Sequence, residues 1–358
     1  MDICLGDRLI GLRHPTYFIA DIAANHDGSL DRAVMLIAAA KEAGADAAKF
    51  QHFKAEQIVS DVGFSRMDQK LSHQASWKKP VTEVYRDASV PDDWTPKLKD
   101  ACDRVGITFL SSPYDFGAVD MLDPYVPAFK IGSGDVDWLE AIEYIALKMK
   151  PVILGTGAST IGEIQQAVSL LQGINDQIIL LQCNTNYTAG EENYDYLNLN
   201  VLKTYATIWP DVVIGLSDHT RSLAPVLGAV TLGARVIERH FTDDTNRVGP
   251  DHSFALDPPA WAQMVEETRR LERALGSTQK DIAENEVDTA VVQRRCLRAG
   301  RDLRSGEKLT RSDVVVLRPA SPQAIKPNDI ASVVGRTLTR DVKEGEELEW
   351  AFLEAGTM

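Results

Sequence analysis

Two lysines, Lys49 and Lys130, each lie near the end of a short apolar run, where a buried strand end is expected. An ammonium in such a place is costly unless an anion meets it, so the pair implies an anionic substrate. Gly132-Ser133-Gly134 follows Lys130 almost at once, and a glycine-rich turn lets backbone N–H groups approach phosphate oxygens closely. A lone lysine is as often a structural ion-pair partner, and a short Gly-Ser-Gly is more often only a turn; the coincidence carries the reading. His219 and His240 also end apolar runs. If those strands are neighbours, about 4.8 Å apart, the imidazoles can converge on one divalent ion and leave positions open for substrate or water. The same pair would equally suit structural or acid–base roles, and His26 competes as a ligand or general acid. His14, His52, His73 and His252 read as loop or surface histidines, and Cys183, with no base in view, as a core thiol.

The elements that must hold these groups alternate along the first 275 or so residues. Eight β-rich runs are expected at 17–23, 47–51, 107–111, 128–131, 152–155, 178–182, 212–216 and 236–241. Between them lie stretches of 3.6-residue periodicity, such as 31–43, 92–105, 160–171 and 261–275. Eight such pairs predict a (β/α)8 TIM barrel rather than an open Rossmann-type sheet. In that fold chemistry collects at the carboxyl ends of the strands, and polar residues do accumulate there, from Asp21 after the first run to Glu238-Arg239-His240 in the last. The stretch Lys54 to Val90 lacks clear periodicity and reads as a loop over one barrel end.

Composition narrows the partners. With 38 Lys+Arg against 52 Asp+Glu, the net charge of −14 argues against nucleic acid and against an anionic membrane surface. Four cysteines without CxxC spacing give neither a zinc ribbon nor a disulfide framework, and no window reaches the length of a membrane helix, so a cytoplasmic setting is expected. The barrel is expected over 1–276, a polar linker over 277–290, and a small β-rich module over 291–358. That module carries an internal echo: Arg301-Asp302-Leu303, Gly306-Glu307 and Leu309 recur 39 residues later as Arg340-Asp341-Val342, Gly345-Glu346 and Leu348. The repeat suggests a compact pseudo-symmetric unit too small to bury much core alone.

Taken together, Asn25-His26-Asp27-Gly28-Ser29, Lys130-Ile131-Gly132-Ser133-Gly134, Gly215-Leu216-Ser217-Asp218-His219-Thr220 and Glu238-Arg239-His240-Phe241-Thr242 through Gly249-Pro250-Asp251 resemble the sialic acid synthase family. The C-terminal module resembles that family's SAF, or antifreeze-like, domain, with Arg318-Pro319 matching its sugar-reaching arginine. The resemblance implies condensation of phosphoenolpyruvate with an N-acetylated mannosamine-type sugar. It implies that Lys49, Lys130, Ser133 and Ser217 contact phosphoenolpyruvate, that Gln51, Tyr187, Asp251 and Arg318 contact the sugar, and that His219 and His240 hold manganese or magnesium. Asp21 and Asp251 would orient the sugar aldehyde and Asp135 would serve the water that adds to the enol carbon. Two positions and one segment depart from the family pattern: Asp21 and Asp135 stand where a glutamate is usual, and Asn184-Thr185-Asn186-Tyr187-Thr188 replaces a Tyr-Pro version.

The resemblance also implies a domain-swapped homodimer, with the module of one chain over the barrel mouth of the other. The acceptor remains open between N-acetylmannosamine and 2,4-diacetamido-2,4,6-trideoxymannose, the precursor of legionaminic acid. Rival readings are another phosphoenolpyruvate-condensing synthase acting on a phosphorylated sugar, a Schiff-base aldolase using a barrel lysine, and a carbohydrate- or ice-binding protein.

Overall fold

A computed structural model describes residues 2–67, 74, 77–188 and 190–355. The expectation for His73 lies outside these described residues. The chain divides into two compact units, Met1–Gly276 and Ser277–Met358.

The first unit opens with an antiparallel hairpin, β1 (Ile3–Leu5) and β2 (Arg8–Ile10). Eight parallel strands follow: β3 (Tyr17–Asp21), β4 (Ala47–His52), β5 (Thr108–Pro113), β6 (Phe129–Ile131), β7 (Val152–Gly155), β8 (Ile178–Cys183), β9 (Val213–Asp218) and β10 (Val236–His240). They are hydrogen-bonded in the order β5-β4-β3-β10-β9-β8-β7-β6, and β5 stands beside β6, so the sheet curls into a nearly closed barrel. All eight expected runs carry a strand. Helices lie on the outside, where Phe18, Ala48, Phe109, Leu154 and Ile214 of the strands pack against apolar faces such as Ala33, Leu36, Ile37 and Ala40. Their ends follow local rules: Ser29 caps helix Leu30–Glu42, Thr160 and Glu163 form a capping box on Ile161–Gln172, and Gly106 ends Thr95–Val105 in the left-handed region at φ +69°.

Inside the barrel, alternate residues of the strands make a second, smaller core of Tyr17, Ile19, Ala47, Leu110, Ile153, Ile179, Val213 and Val236. Ile3, Leu5 and Ile10 of the hairpin complete it and plug the end opposite the polar strand tips. The sequence reading passed over this hairpin because three-residue strands around Gly6 are too short to show a period. The 54–90 insertion, expected as a loop, carries helices Ala55–Ile58, Asp61–Ser65 and Val81–Ala88 among its described residues.

In the second unit, β11 (Cys296–Ala299) pairs antiparallel with β12 (Val314–Leu317). The 39-residue echo is a pseudo-twofold. Leu303 and Val342 exchange backbone hydrogen bonds of 2.8 and 3.0 Å. The Ser305 N–H donates to Asp341 and, in the equivalent place, the Glu344 N–H donates to Asp302, each at 2.9 Å. Gly306 and Gly345, at φ +84° and +77°, make the two matching turns. Leu297, Leu309, Leu338, Val342 and Leu348 lie in its core. The stretch expected as linker ends in an exposed helix, Val287–Gln293.

Candidate active site

The carboxyl ends of the barrel strands surround one cavity of about 340 Å³, within the range of small-ligand sites. Register places its charged groups side by side. Asp21 ends β3, with Lys49 of β4 directly opposite on one flank and His240 of β10 on the other. Two-residue alternation then turns Lys49 and Gln51, and likewise Glu238 and His240, to the same face. Lys49 Nζ donates to Asp21 Oδ2 at 2.6 Å, and Gln51 Nε2 donates to the same oxygen at 3.3 Å.

Glu238 lies between the lysines, with Oε1 3.5 Å from Lys130 Nζ and Oε2 3.9 Å from Lys49 Nζ. Ser217 Oγ donates to Glu238 Oε1 at 3.2 Å. Both lysines and Glu238 are buried. Burial would raise the Glu238 carboxyl, but Lys130 and Lys49 hold it down at about 2. Burial would lower Lys49, but Asp21 and Glu238 keep its ammonium above the ordinary lysine value. Burial raises the Asp21 carboxyl above the usual aspartate range, with Lys49 pulling the other way, so the cluster brings two amines and two carboxyl groups into contact. Gly155 keeps it open: a Cβ there would stand 2.8 Å from Ser133 Oγ and 3.2 Å from Lys130 Nζ. Ser133 begins the turn that follows β6, where its Oγ accepts from the Gly157 N–H at 2.9 Å. Asp135 ends that turn, and burial raises its carboxyl above the usual aspartate range.

His219 and His240 come together as expected, their ring centroids 5.3 Å apart, with Tyr187 4.3 Å from the first ring and Phe254 4.8 Å from the second. Burial pushes both imidazoles down to about 3; His240 adds to the effect on His219, and Lys49 to that on His240. Both are neutral, the form that ligates metal. His219 Nδ1 lies 2.9 Å from the Asn184 carbonyl oxygen, which fixes its N–H there and leaves Nε2 as the lone-pair nitrogen. The buried His240 Nδ1 has no hydrogen-bond partner among the described residues and lies 3.8 Å from Asp251 Oδ2. This donor pair fits a divalent ion. Among the described residues no third histidine, cysteine or carboxylate completes a preformed cluster, so water or substrate would fill the remaining positions. Asp251 Oδ2 accepts from the Ala24 N–H at 3.2 Å, and burial lifts its carboxyl to about 7.

Eleven of the twelve residues singled out from sequence thus meet in one cavity: Asp21, Lys49, Gln51, Lys130, Ser133 and Asp135, together with Tyr187, Ser217, His219, His240 and Asp251. The twelfth, Arg318, is exposed just after β12 in the second unit. His26 does not line the cavity. It is buried, its Nδ1 accepts from the Gly28 N–H at 3.1 Å, and its ring packs edge-on to Trp94. His52 and His252, expected as loop or surface histidines, are both buried and fully paired, His52 at the end of β4 and His252 in a turn: His52 bridges Ser111 and Thr95, and His252 bridges Thr242 and Asp27. His14 is half-buried against Asp2. Cys183 lines the cavity, yet burial raises its thiol to about 11, so it stays protonated. Sequence reasoning placed Glu238 at a strand tip but gave it no role; the signal was its place two residues before His240 on one strand face. It also missed Tyr85, Trp77 and Ile58, which the insertion contributes to the cavity wall.

The match to known proteins decides the lineage. Residues 36–280 match the NeuB family model. The chain belongs to the NeuB family. Residues 294–354 match the SAF domain. The human N-acetylneuraminate-9-phosphate synthase is 33% identical, covering 97% of this chain and 95% of its own length. The N,N'-diacetyllegionaminic acid synthase of Legionella pneumophila is 32% identical over 95% of each chain. The crystal structure of the spore coat polysaccharide biosynthesis protein SpsE from Bacillus subtilis is 30% identical and superposes with a TM-score of 0.65, covering both chains completely. This NeuB-family chain is a sialic-acid-type synthase by kinship, and no described helix is long and apolar enough to cross a membrane.

Proposed function

We propose that the protein condenses phosphoenolpyruvate with the open-chain form of an N-acetylated mannosamine-type sugar, giving a nine-carbon sialic acid and inorganic phosphate. The observation that carries this reading is the buried Lys49–Lys130 pair, held by Asp21 and Glu238 beside two neutral imidazoles. The lysines bind the phosphate and carboxylate of phosphoenolpyruvate, with the hydroxyls of Ser133 and Ser217 alongside. Asp21 and Glu238 are their counter-ions before substrate enters, so the incoming anion exchanges ion pairs rather than meeting bare buried charge.

Gln51, Tyr187 and Asp251 hold the sugar, and Asp21 and Asp251 orient its aldehyde. Manganese or magnesium held by His219 and His240 would supply Lewis acidity at the aldehyde oxygen. The phosphoenolpyruvate methylene carbon bonds to the aldehyde carbon, whose oxygen takes up a proton from solvent, and positive charge develops at the enol carbon. Asp135 accepts a proton from the water that adds there. The resulting tetrahedral carbon collapses to the ketone, and phosphate leaves with the bridging oxygen. Asp in place of the family's usual Glu at 21 and 135 sets each carboxylate back by one methylene.

The proposal extends to the assembly: in a homodimer the second unit of one chain covers the barrel mouth of its partner and delivers Arg318 to the sugar amide. An arginine fork suits that task, and exposed Val287, Val291, Val292 and Leu317 give the second unit an apolar face to bury. The test is release of phosphate from phosphoenolpyruvate with N-acetylmannosamine and with 2,4-diacetamido-2,4,6-trideoxymannose, each product identified by mass. The human relative is named for a 9-phosphate product and the Legionella relative for a legionaminic acid, at nearly equal identity, so the two acceptors are assayed side by side, N-acetylmannosamine both free and phosphorylated.

A further inference from the structure

Behind the cavity, a buried histidine that the proposed reaction does not use ties together three segments of the barrel rim. His252 is fully buried and starts the turn His252–Phe254. Its Nδ1 lies 2.7 Å from Thr242 Oγ1, on the segment leaving β10, and its Nε2 lies 2.9 Å from Asp27 Oδ1, on the segment leaving β3. Both ring nitrogens are therefore satisfied, and the ring can occupy only one orientation. Gly249 supplies its space, since a Cβ there would come within 2.6 Å of the His252 ring carbon Cδ2.

Asp27 is itself anchored. It sits at φ +52° and pairs with Arg32 Nε at 3.1 Å and with Arg247 at 3.5 Å. Arg32 in turn grips Asp243 with both terminal nitrogens and donates from Nε to the Asn25 carbonyl at 2.7 Å. The two segments joined by His252 are the ones that bracket Asp251. Asp251 precedes His252 directly, and its carboxylate accepts from Ala24 on the β3 segment. Phe254, two residues after His252, packs on the His240 ring.

We infer that His252, clamped between Thr242 and Asp27, is a positioning residue: it fixes the carboxylate of Asp251 in the acceptor half of the cavity. It touches no substrate itself. The lever is short, one peptide unit, and a shift of about 1 Å at a reacting group is enough to cost on the order of 100-fold in rate. The inference about kinetics rests on the proposed condensation; the inference about geometry does not.

The experiment uses the full-length protein and four chains: wild type, Thr242→Val, Thr242→Ser and Asp27→Ala. Thr242→Val removes at constant shape a hydroxyl that also meets the Asp244 N–H and carbonyl at 3.3 Å, Thr242→Ser keeps the hydroxyl, and Asp27→Ala, at the exposed end of the clamp, leaves those Asp244 bonds in place and tests the clamp even if the valine variant does not fold. The expected kinetics are a kcat at least tenfold lower and a higher acceptor KM in Thr242→Val and Asp27→Ala. The phosphoenolpyruvate KM should not change, and Thr242→Ser should recover to within about twofold of wild type. A merely structural clamp would lower the melting temperature and leave this split between the two substrates unmoved, and that result overturns the inference. Crystal structures of the same variants give a readout independent of turnover. The 3.2 Å hydrogen bond between Asp251 and the Ala24 N–H should be lost in Thr242→Val and Asp27→Ala and kept in Thr242→Ser. An unmoved Asp251 in the folded variants overturns the proposal whatever reaction the barrel performs, whereas a wild-type protein that releases no phosphate overturns the condensation and leaves the geometric result standing.

Discussion

Lys49 and Lys130 each meet a carboxylate inside the cavity, Lys49 pairing with Asp21 at 2.6 Å and Lys130 with Glu238 at 3.5 Å. Glu238 is one of many glutamates in an acidic chain; β10 alternation faces it into the barrel, where it meets Lys130 of the non-adjacent strand β6. Asp135 is the sharpest residue-level test. It lines the cavity near Lys130 with a carboxyl raised by burial, so Asp135→Asn should lower kcat by roughly 100-fold or more, the usual scale of a lost general base. The phosphoenolpyruvate KM should stay within a few-fold of wild type. Steady-state kinetics separate this from a binding role, which would raise that KM at unchanged kcat. His219→Ala or His240→Ala should abolish turnover and the response of the protein to added manganese, measured by titration calorimetry.

Elements carry the second scale, and here the sequence was most informative: each barrel strand is a short apolar run with a polar tip, so strand count and site position could be read together. What it concealed were features whose signal is a contact rather than a period. Gly215 is one. On β9, a Cβ would stand 2.5 Å from Leu181 Cδ2 and closer still to the Val236 carbonyl oxygen, so Gly215→Ala should destabilise the barrel by about 1–3 kcal/mol, measured by urea unfolding. His52 is another, read as surface yet holding β4 to Ser111 of β5 and to Thr95 at the start of helix Thr95–Val105. Burial pushes its folded pKa down to about 4 from 6.5. Between those values the unfolded chain binds the proton and the folded one does not, so stability rises with pH through that window and is lost on acidification. Linkage gives about 2 kcal/mol between pH 7 and pH 5 from this residue. Unfolding midpoints at the two pH values should converge in His52→Gln relative to wild type.

At the scale of the whole molecule, the two units answer to different physics. The barrel holds its own core in two layers, whereas the second unit relies on a small pseudo-twofold core and leaves an apolar helix face exposed. That pseudo-symmetry was readable because both copies keep the same turn glycines and acidic anchors; nothing in the sequence of Val287–Gln293 distinguished a helix from a polar linker. If the second unit serves the partner's barrel, mixing Arg318→Ala chains with His219→Ala chains should restore activity that neither has alone. Inactive mixtures in which native mass spectrometry finds heterodimers would remove the exchange. Both units' proposed roles depend on the condensation itself. Full-length protein with manganese, phosphoenolpyruvate labelled with oxygen-18 at the bridging position, and each of the two acceptors tests it in one measurement. Phosphate carrying the label and a nine-carbon keto acid should appear in equal amounts. Unlabelled phosphate, no phosphate with either acceptor, or a borohydride-trapped pyruvate adduct on Lys49 or Lys130 would contradict it.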